Sequence, residues 1–303
     1  LSSRYRTTSE AWRERFGGRV QRIPVAVDAG CPVRDGTLGR SGCAFCAASA
    51  LAMRWLDQRG SVREQVERGL QAVRRRFGAA FGLAYFQNHT ATWRPAAELA
   101  RDLDDALGVP GIVGVAVGAR PDALADDVVA VLAAAGRRAH VEVELGVQSA
   151  SERVLAEMGR GHGVAASRDA AARVKAAGLS LTAHVIVGWP GEGPDDRART
   201  IELVNELGAD GVKLHNLHVL RGTPLAERYE AAPFPLLSRD AYLDALCELL
   251  PLLDPQVVVH RVVAQALPDL LLAPEWMRAP AGFREALDSR LAARDIWQGR
   301  RCP

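Results

Sequence analysis

Three of the five cysteines, Cys31, Cys43 and Cys46, fall in one loop with the spacing C-x11-C-x2-C. Thiolates are ligands for soft metals and iron–sulfur clusters. Three of them suit a [4Fe–4S] cube whose fourth iron is left to a non-protein ligand. Glycines at 36, 39 and 42 allow the chain to double back, so that Cys31 can meet the Cys43–Cys46 pair. Zinc is the rival occupant, but it wants four ligands, usually as two paired half-sites. Only one C-x2-C pair exists, so the fourth ligand would have to be His89 or Asp35. Unligated thiols are the third reading. The other two cysteines look structural: Cys247 shares an apolar stripe with Leu243, Leu246 and Leu250, and Cys302 reads as an exposed residue near the end. An odd cysteine count argues against a disulfide framework.

Other residues capable of chemistry recur where apolar runs end. Gln87-Asn-His-Thr90, Arg120-Pro-Asp122, Gln148-Ser149, His184 before Gly188, and His215, Asn216 and His218 all stand at such ends. Strands are expected over 22–29, 82–89, 111–118, 140–147, 179–187 and 211–220, with an edge-like seventh over 256–264. Helices are expected over 61–77, 95–107, 122–136, 149–158, 167–177, 195–207 and 240–253, the first with a Ser61/Glu64 capping box and the fourth with one at Ser149/Glu152. Residues 4–18 read as an arginine-rich, aromatic lead-in. Repeated strand–helix units imply a parallel sheet with right-handed crossovers.

The expected fold is therefore α/β: a partial parallel (β/α)6 TIM-like barrel, open on one side, with a C-terminal α/β extension. Residues 1–220 would form the barrel with its lead-in and cysteine loop, and 221–303 the extension packed on it. A doubly wound sheet is the alternative, but its first turn would carry a Gly-rich phosphate loop where this chain has cysteines. In such barrels catalytic groups sit at the carboxyl ends of the strands, so the polar ends would line one mouth around the cysteines.

Glu142 and Glu144 alternate with valines and share a face. Buried carboxylates need partners, and Arg120 is the expected one. Glu144, with His215 and His218 near Lys213, are the candidate catalytic residues. Ser149 reads more simply as a helix cap and His140 as a structural histidine, while a surface cation is the rival, lesser reading of Arg160.

The chain has 303 residues with 48% hydrophobic and 24% charged residues, the balance of a globular protein. A net charge of +2 does not single out a nucleic-acid binder, and the Arg74-Arg-Arg76 run suits the end of a helix. No apolar run approaches the roughly 18 residues of a membrane span. The first residues lack the apolar stretch of a secretory signal, so a cytoplasmic location is the expectation.

The cysteine loop, Cys-Pro-Val-Arg-Asp-Gly-Thr-Leu-Gly-Arg-Ser-Gly-Cys-Ala-Phe-Cys46, resembles that of radical S-adenosylmethionine (AdoMet) proteins, specifically the YhcC-like branch near the Elp3 and coproporphyrinogen-oxidase types. Tyr85-Phe-Gln87, Gly118-Ala-Arg-Pro-Asp122, Val143-Glu-Leu-Gly-Val-Gln-Ser149, Arg160-Gly-His162, His184-Val-Ile-Val-Gly188, the run from Val212 to Pro224, and Ala273-Pro-Glu-Trp276 extend the likeness over nearly the whole chain. The resemblance implies a [4Fe–4S] cluster on Cys31, Cys43 and Cys46, with AdoMet as second cofactor. It also implies AdoMet contacts from Phe45, Tyr85, Gln87, Gln148, Arg160, His184 and Gly188. The implied activity is reductive AdoMet cleavage to a 5′-deoxyadenosyl radical, with electrons from a flavodoxin or ferredoxin, acting on a small molecule or tRNA. A zinc-dependent barrel hydrolase and a non-catalytic, cluster-bearing RNA- or protein-binding module are the alternatives.

Overall fold

The computed structural model describes residues 3–47, 60–87 and 89–302. Asn88 therefore lies outside the described residues. Seven strands form one parallel sheet in the order β1-β2-β3-β4-β5-β6-β8, curled into a half-barrel. They are β1 (Val20–Val25), β2 (Phe81–Phe86), β3 (Ile112–Ala119), β4 (His140–Gln148), β5 (Ser180–Val187), β6 (Gly211–Asn216) and β8 (Val258–Arg261). The runs are rich in Val, Ile, Leu and Ala because a parallel sheet covered by helices is buried on both faces. The expected edge-like seventh strand is present as β8, parallel to β6. A two-stranded antiparallel ribbon, β7 (Val219–Leu220) with β9 (Leu271–Ala273), stands apart.

Helices coat the outer face: α2 (Val62–Phe77), α3 (Ala96–Leu107), α4 (Asp126–Gly136), α5 (Glu152–Glu157), α6 (Val164–Ala176) and α7 (Pro194–Glu206). Their apolar stripes, such as Val66 and Leu70, Leu99 and Leu103, or Ile201 and Val204, meet Leu145, Leu181 and Val143 of the sheet in one core. After β7 come α8 (Pro224–Ala231), α9 (Arg239–Leu249) and, past β9, α10 (Phe283–Ala293). Leu246 of α9 and Leu287 and Leu291 of α10 join that same core. Cys247 is buried there as expected, whereas Cys302 is half-buried, with Asn205 Nδ2 3.8 Å from its sulfur.

Several expectations needed correction. The lead-in, to which no element was assigned, contains one: Thr7 caps helix α1 (Thr8–Phe16) through a reciprocal bond with Glu10. Charges of both signs hid its short apolar stripe. The helix expected from Asp122 begins at Asp126, because Arg120 holds the Asp122 carboxylate and a short 3-10 turn intervenes. Ser151, not Ser149, caps α5 through Val154 N, and Ser149 instead accepts from Ser151 N. Strand six stops at Asn216, so His218 lies beyond it.

Edge strands β1 and β8 are not paired to one another. Arg4–Trp12 crosses this opening. Thr7 bridges Val259, and Arg6 O accepts from Val259 N at 2.8 Å. Gln298 ties the segment further, its backbone N donating to Arg4 O and its side-chain oxygen accepting from Arg6 N, both at 2.9 Å. Leu132 on α4 is fully buried in the sheet-facing core. Leu132→Ala should cost about 3 kcal/mol of unfolding free energy; a urea titration showing less than about 1 kcal/mol would mean that this helix is loosely packed.

Candidate functional site

The cysteine loop is folded back by its own backbone. Cys31 O accepts from Arg34 N (2.9 Å) and Asp35 N (3.1 Å), Pro32 O from Leu38 N (2.7 Å), and Val33 O from Gly42 N (2.8 Å). Gly42 has φ +75°, and a Cβ there would strike the Arg34 guanidinium, so glycine is required. Arg34 in turn donates to Cys46 O at 2.7 Å. Ala44 is pinned on both sides, its N–H to Met158 O and its carbonyl to Leu225 N. Burial raises the Cys46 thiol, and the charges of Cys43 and Cys31 raise it further, so the three sulfurs lie within one another's field.

Two guanidinium groups converge on Cys43. Arg160 Nη1 lies 3.3 Å from its sulfur and Arg120 Nη1 3.5 Å. Asp122 grips Arg120 at 2.9 and 2.7 Å, and Arg120 Nη2 also donates to Arg160 O. Arg160 is not a surface cation: it is buried and donates to Gly146 O at 2.8 Å. A side chain at Gly146 would strike Gln148 Nε2 and Arg160 Nη2, which places those two groups on either side of it. Arg160 Nε and His162 Nε2 are buried with no hydrogen-bond partner among the described residues. His162 Nδ1 donates to Gly163 O, which leaves Nε2 as an acceptor, so a donor and an acceptor both stand open beside the cysteine loop.

This donor set fits the cofactors the sequence suggests. Three thiols in one loop, with two guanidinium N–H donors on the Cys43 sulfur, suit a cluster, and the unpartnered Arg160 Nε beside them suits a carboxylate. A single zinc ion fits less well. Among the described residues no three His, Cys, Asp or Glu side chains are gathered as one ion requires. Asp35, a possible fourth ligand, already accepts from Trp93 Nε1 at 2.6 Å.

Deeper in the barrel lies a buried ion network. Glu144 is the hub, accepting from Arg22, from Lys213 Nζ at 2.5 Å and from His184 Nε2 at 2.8 Å. Glu142 accepts from Arg22 Nη2 at 2.9 Å and Thr182 Oγ1 at 2.7 Å. Lys213 also donates to Tyr85 OH at 3.1 Å and lies over that ring. Burial pulls Lys213 down to about 7, with Arg22 and Arg261 adding to the effect against Tyr85. Burial would raise the Tyr85 phenol, but Lys213 and Arg22 outweigh it and draw it down. Burial also holds His184 and His215 well below the usual histidine value, and His260 at about 3. Burial raises Glu142, yet Arg22 and His260 carry it well below the carboxylate range.

The residues singled out in the sequence fall into two groups. Phe45 packs by Trp189 and Met158 next to the cysteines, with Gln148 and Arg160 close by Cys43. Gln87 is half-buried at the end of β2, and Gly188 N donates to Glu192 at 2.6 Å. Tyr85, Glu144 and His184 belong instead to the ion network, with His215 edge-on to His184 at 5.5 Å. Among the described residues His218 binds only Asn216 O, at 3.2 Å. The expected partner of the two glutamates is corrected: Arg120 is spent on Asp122 and Cys43, while Arg22 and Lys213 neutralise Glu142 and Glu144. Arg22, Thr182, His260 and Arg261 were missed. Thr182 could have been found from its alternation with His184 along β5, whereas Arg22 stands next to Gln21 and His260 next to Arg261, so those strands gave no alternating signal.

This network sets the response to pH. Unfolded histidines bind protons below about 6.5, whereas His184, His215 and His260 stay neutral in the fold, so stability falls as pH drops below that value by up to about 1.4 kcal/mol per unit per histidine. Glu142, depressed by folding, adds a loss of the same sign further into acid. Lys213 binds its proton only below about 7 when folded, but below about 10.4 when unfolded, so its contribution makes stability rise between those values. The urea midpoint should fall between about pH 7 and 5 and rise between about pH 7 and 9, the latter rise shrinking in Lys213→Met. A flat acid limb would show that the histidines are not held neutral.

A model of the radical SAM superfamily matches residues 30–204, and one of the radical SAM C-terminal domain matches 209–293. YtqA of Bacillus subtilis (strain 168) is 32% identical over 98% of this chain and 92% of its own. YhcC of Escherichia coli (strain K12) is 35% identical over 86% of this chain and 84% of its own. Among solved structures, Elp3 from the archaeon Methanocaldococcus infernus superposes with a TM-score of 0.70 at 16% identity, covering 92% of this chain and 64% of that one. That likeness speaks for the fold. With cysteine loop, half-barrel and C-terminal segment all matched in order, the chain belongs to the radical SAM superfamily, in its YhcC-like branch.

Proposed function

We propose that this enzyme reductively cleaves AdoMet at a [4Fe–4S] cluster held by Cys31, Cys43 and Cys46, and uses the resulting radical to take a hydrogen atom from a substrate. One observation carries the reading: Arg160 binds the Cys43 sulfur with one N–H while its buried Nε has no partner. Family cofactors, the cluster and AdoMet, together supply an electron to a sulfonium and so a carbon-centred radical.

The protein's share is placement. Arg160 Nε can receive the amino-acid carboxylate of AdoMet, with Gln148 beside it. Phe45 offers an apolar face at the rim, backed by buried Trp189. Glu192, pushed up to about 7 by burial, accepts from Gly188 N and fixes that turn, whose glycine (φ +96°) lies against Leu237. Arg120, fixed by Asp122, keeps a donor on Cys43 and lessens the negative charge gathered on the sulfurs. Below, His184 and His215 face the lumen as neutral groups, suited to binding a substrate rather than to attracting an anion by charge. A flavodoxin or ferredoxin is the proposed electron donor.

Family membership supplants the zinc hydrolase reading and the non-catalytic module. Several partial relatives bear names of tRNA-modifying enzymes, such as tRNA-2-methylthio-N(6)-dimethylallyladenosine synthase of Chloroflexus aurantiacus, but these matches cover under half of this chain.

Anaerobically reconstituted protein should hold about four irons and four sulfides and form 5′-deoxyadenosine with dithionite and AdoMet. Cys43→Ala should lose both. Iron content that survives this change would sink the ligand assignment. Arg160→Gln should keep its iron but bind AdoMet at least about tenfold more weakly, read by equilibrium dialysis.

A further inference from the structure

Where the half-barrel is open, a cavity of about 560 Å³ runs between β1 and β8. Arg19, Arg22, Arg261 and Arg284 line it, and no carboxylate does among the described residues. Three of these arginines are engaged elsewhere. Arg22 pairs with Glu142 and Glu144, Arg19 lies over the Phe77 ring, and Arg284 lies over Tyr5. Arg261 differs: no described residue accepts a hydrogen bond from its guanidinium or pairs with it, although it is half-buried. It pairs in register with Lys213, and its charge acts on Tyr85, His184 and His215, so it belongs to the lumen as well as the cleft. His215 Nε2, also buried, has no partner.

In the lumen Arg22 is taken up by Glu142 and Glu144 and Lys213 by Glu144, which leaves Arg261 without a counter-charge among the described residues. A half-buried cation with no carboxylate beside it is open to an anionic ligand. Guanidinium presents a planar fork matched to carboxylate or phosphoryl oxygens. The cavity volume is that of a small-ligand pocket. Its rim is crossed by the Thr7–Val259 bridge and the Val259 N–Arg6 O bond, which an extended polymer would have to break.

We propose that Arg261 binds the carboxylate or phosphoryl group of a small acidic substrate that enters through the cleft between β1 and β8, with His215 Nε2 hydrogen-bonding a second polar group of the same molecule. This deepens the radical-enzyme reading and rests on it, because it names the class of molecule that the mouth would act on.

Isothermal titration of the full, reconstituted protein with pyrophosphate and with tricarballylate tests it, without requiring AdoMet cleavage. One of the two should bind saturably at a single site, and which one does separates phosphoryl from carboxylate recognition. Arg261→Gln should weaken that binding by more than about tenfold, while Arg261→Lys retains most of it. Arg76→Gln, at the exposed end of α2, should leave it unchanged. Should Arg261→Gln fail to fold by circular dichroism, His215→Ala must weaken binding instead. Absence of saturable binding by both acids, or equal affinity in the Arg261 and His215 variants, overturns the site. A short oligoribonucleotide that binds in an Arg261-dependent manner where the acids do not overturns the small-molecule assignment. The same preparations are assayed for 5′-deoxyadenosine. Acid binding without AdoMet cleavage counts against the radical reading and leaves the anion site, and cleavage without acid binding removes the anion site alone.

Discussion

The Glu144 carboxylate, buried between Arg22, Lys213 and His184, is the interaction on which the interior of this half-barrel depends. Three strands are tied through it: β1 by Arg22, β5 by His184 and β6 by Lys213. Such a carboxylate is tolerable in low dielectric only when cations and donors surround it, and removing any one leaves the others exposed to the same penalty. The apolar outer face would accept many sequences of similar volume. The polar inner face would not, because each charge there is sited by another. An aliphatic filling would make a more stable barrel and a lumen unable to recognise a polar molecule.

Above that hub, the cysteine loop uses a different principle. Its shape is set by backbone bonds within 31–46 and by the Arg34 guanidinium packed against Gly42, not by a hydrophobic centre. Arg120 and Arg160 then attach it to the ends of the sheet through Cys43, Asp122 and Gly146. The loop and the barrel are therefore joined at the sulfur expected to carry iron. Loss of either arginine would disturb both the position and the electrostatics of that corner.

Much of this was legible from residue order. The parallel half-barrel followed from repeated strand–helix units, and the cysteine spacing singled out the loop before any geometry was known. Arg160 was weighed as a surface cation, yet it is buried, since nothing local reveals that its guanidinium will meet the sulfur of Cys43, 117 residues earlier in the chain. The pairing of the glutamates was misassigned for the same reason. Arg120 is near in sequence, but Arg22 reaches Glu142 and Glu144 across the barrel from β1. Helix α1 escaped notice because its apolar stripe is short, Ala11, Trp12 and Phe16 standing among charges of both signs. Pairwise contact across the concave face of a curved sheet leaves no periodic signature; it is a property of curvature.

The strap across the open side has a further meaning for how the chain acquires its shape. Residues Arg4 and Arg6 are held by Gln298, and Thr7 by Val259, so the first part of the chain finds its place only after the last part has folded. During synthesis β1 can pair with β2 early, while its outer edge and the arginines beside it stay open to water until β8 and α10 arrive. Closing so long a loop is entropically expensive and therefore late. Arg22 on β1 is thus still hydrated when Glu142, Glu144 and Lys213 arrive beside it, an order that spares the nascent chain from burying that ion before its partners exist.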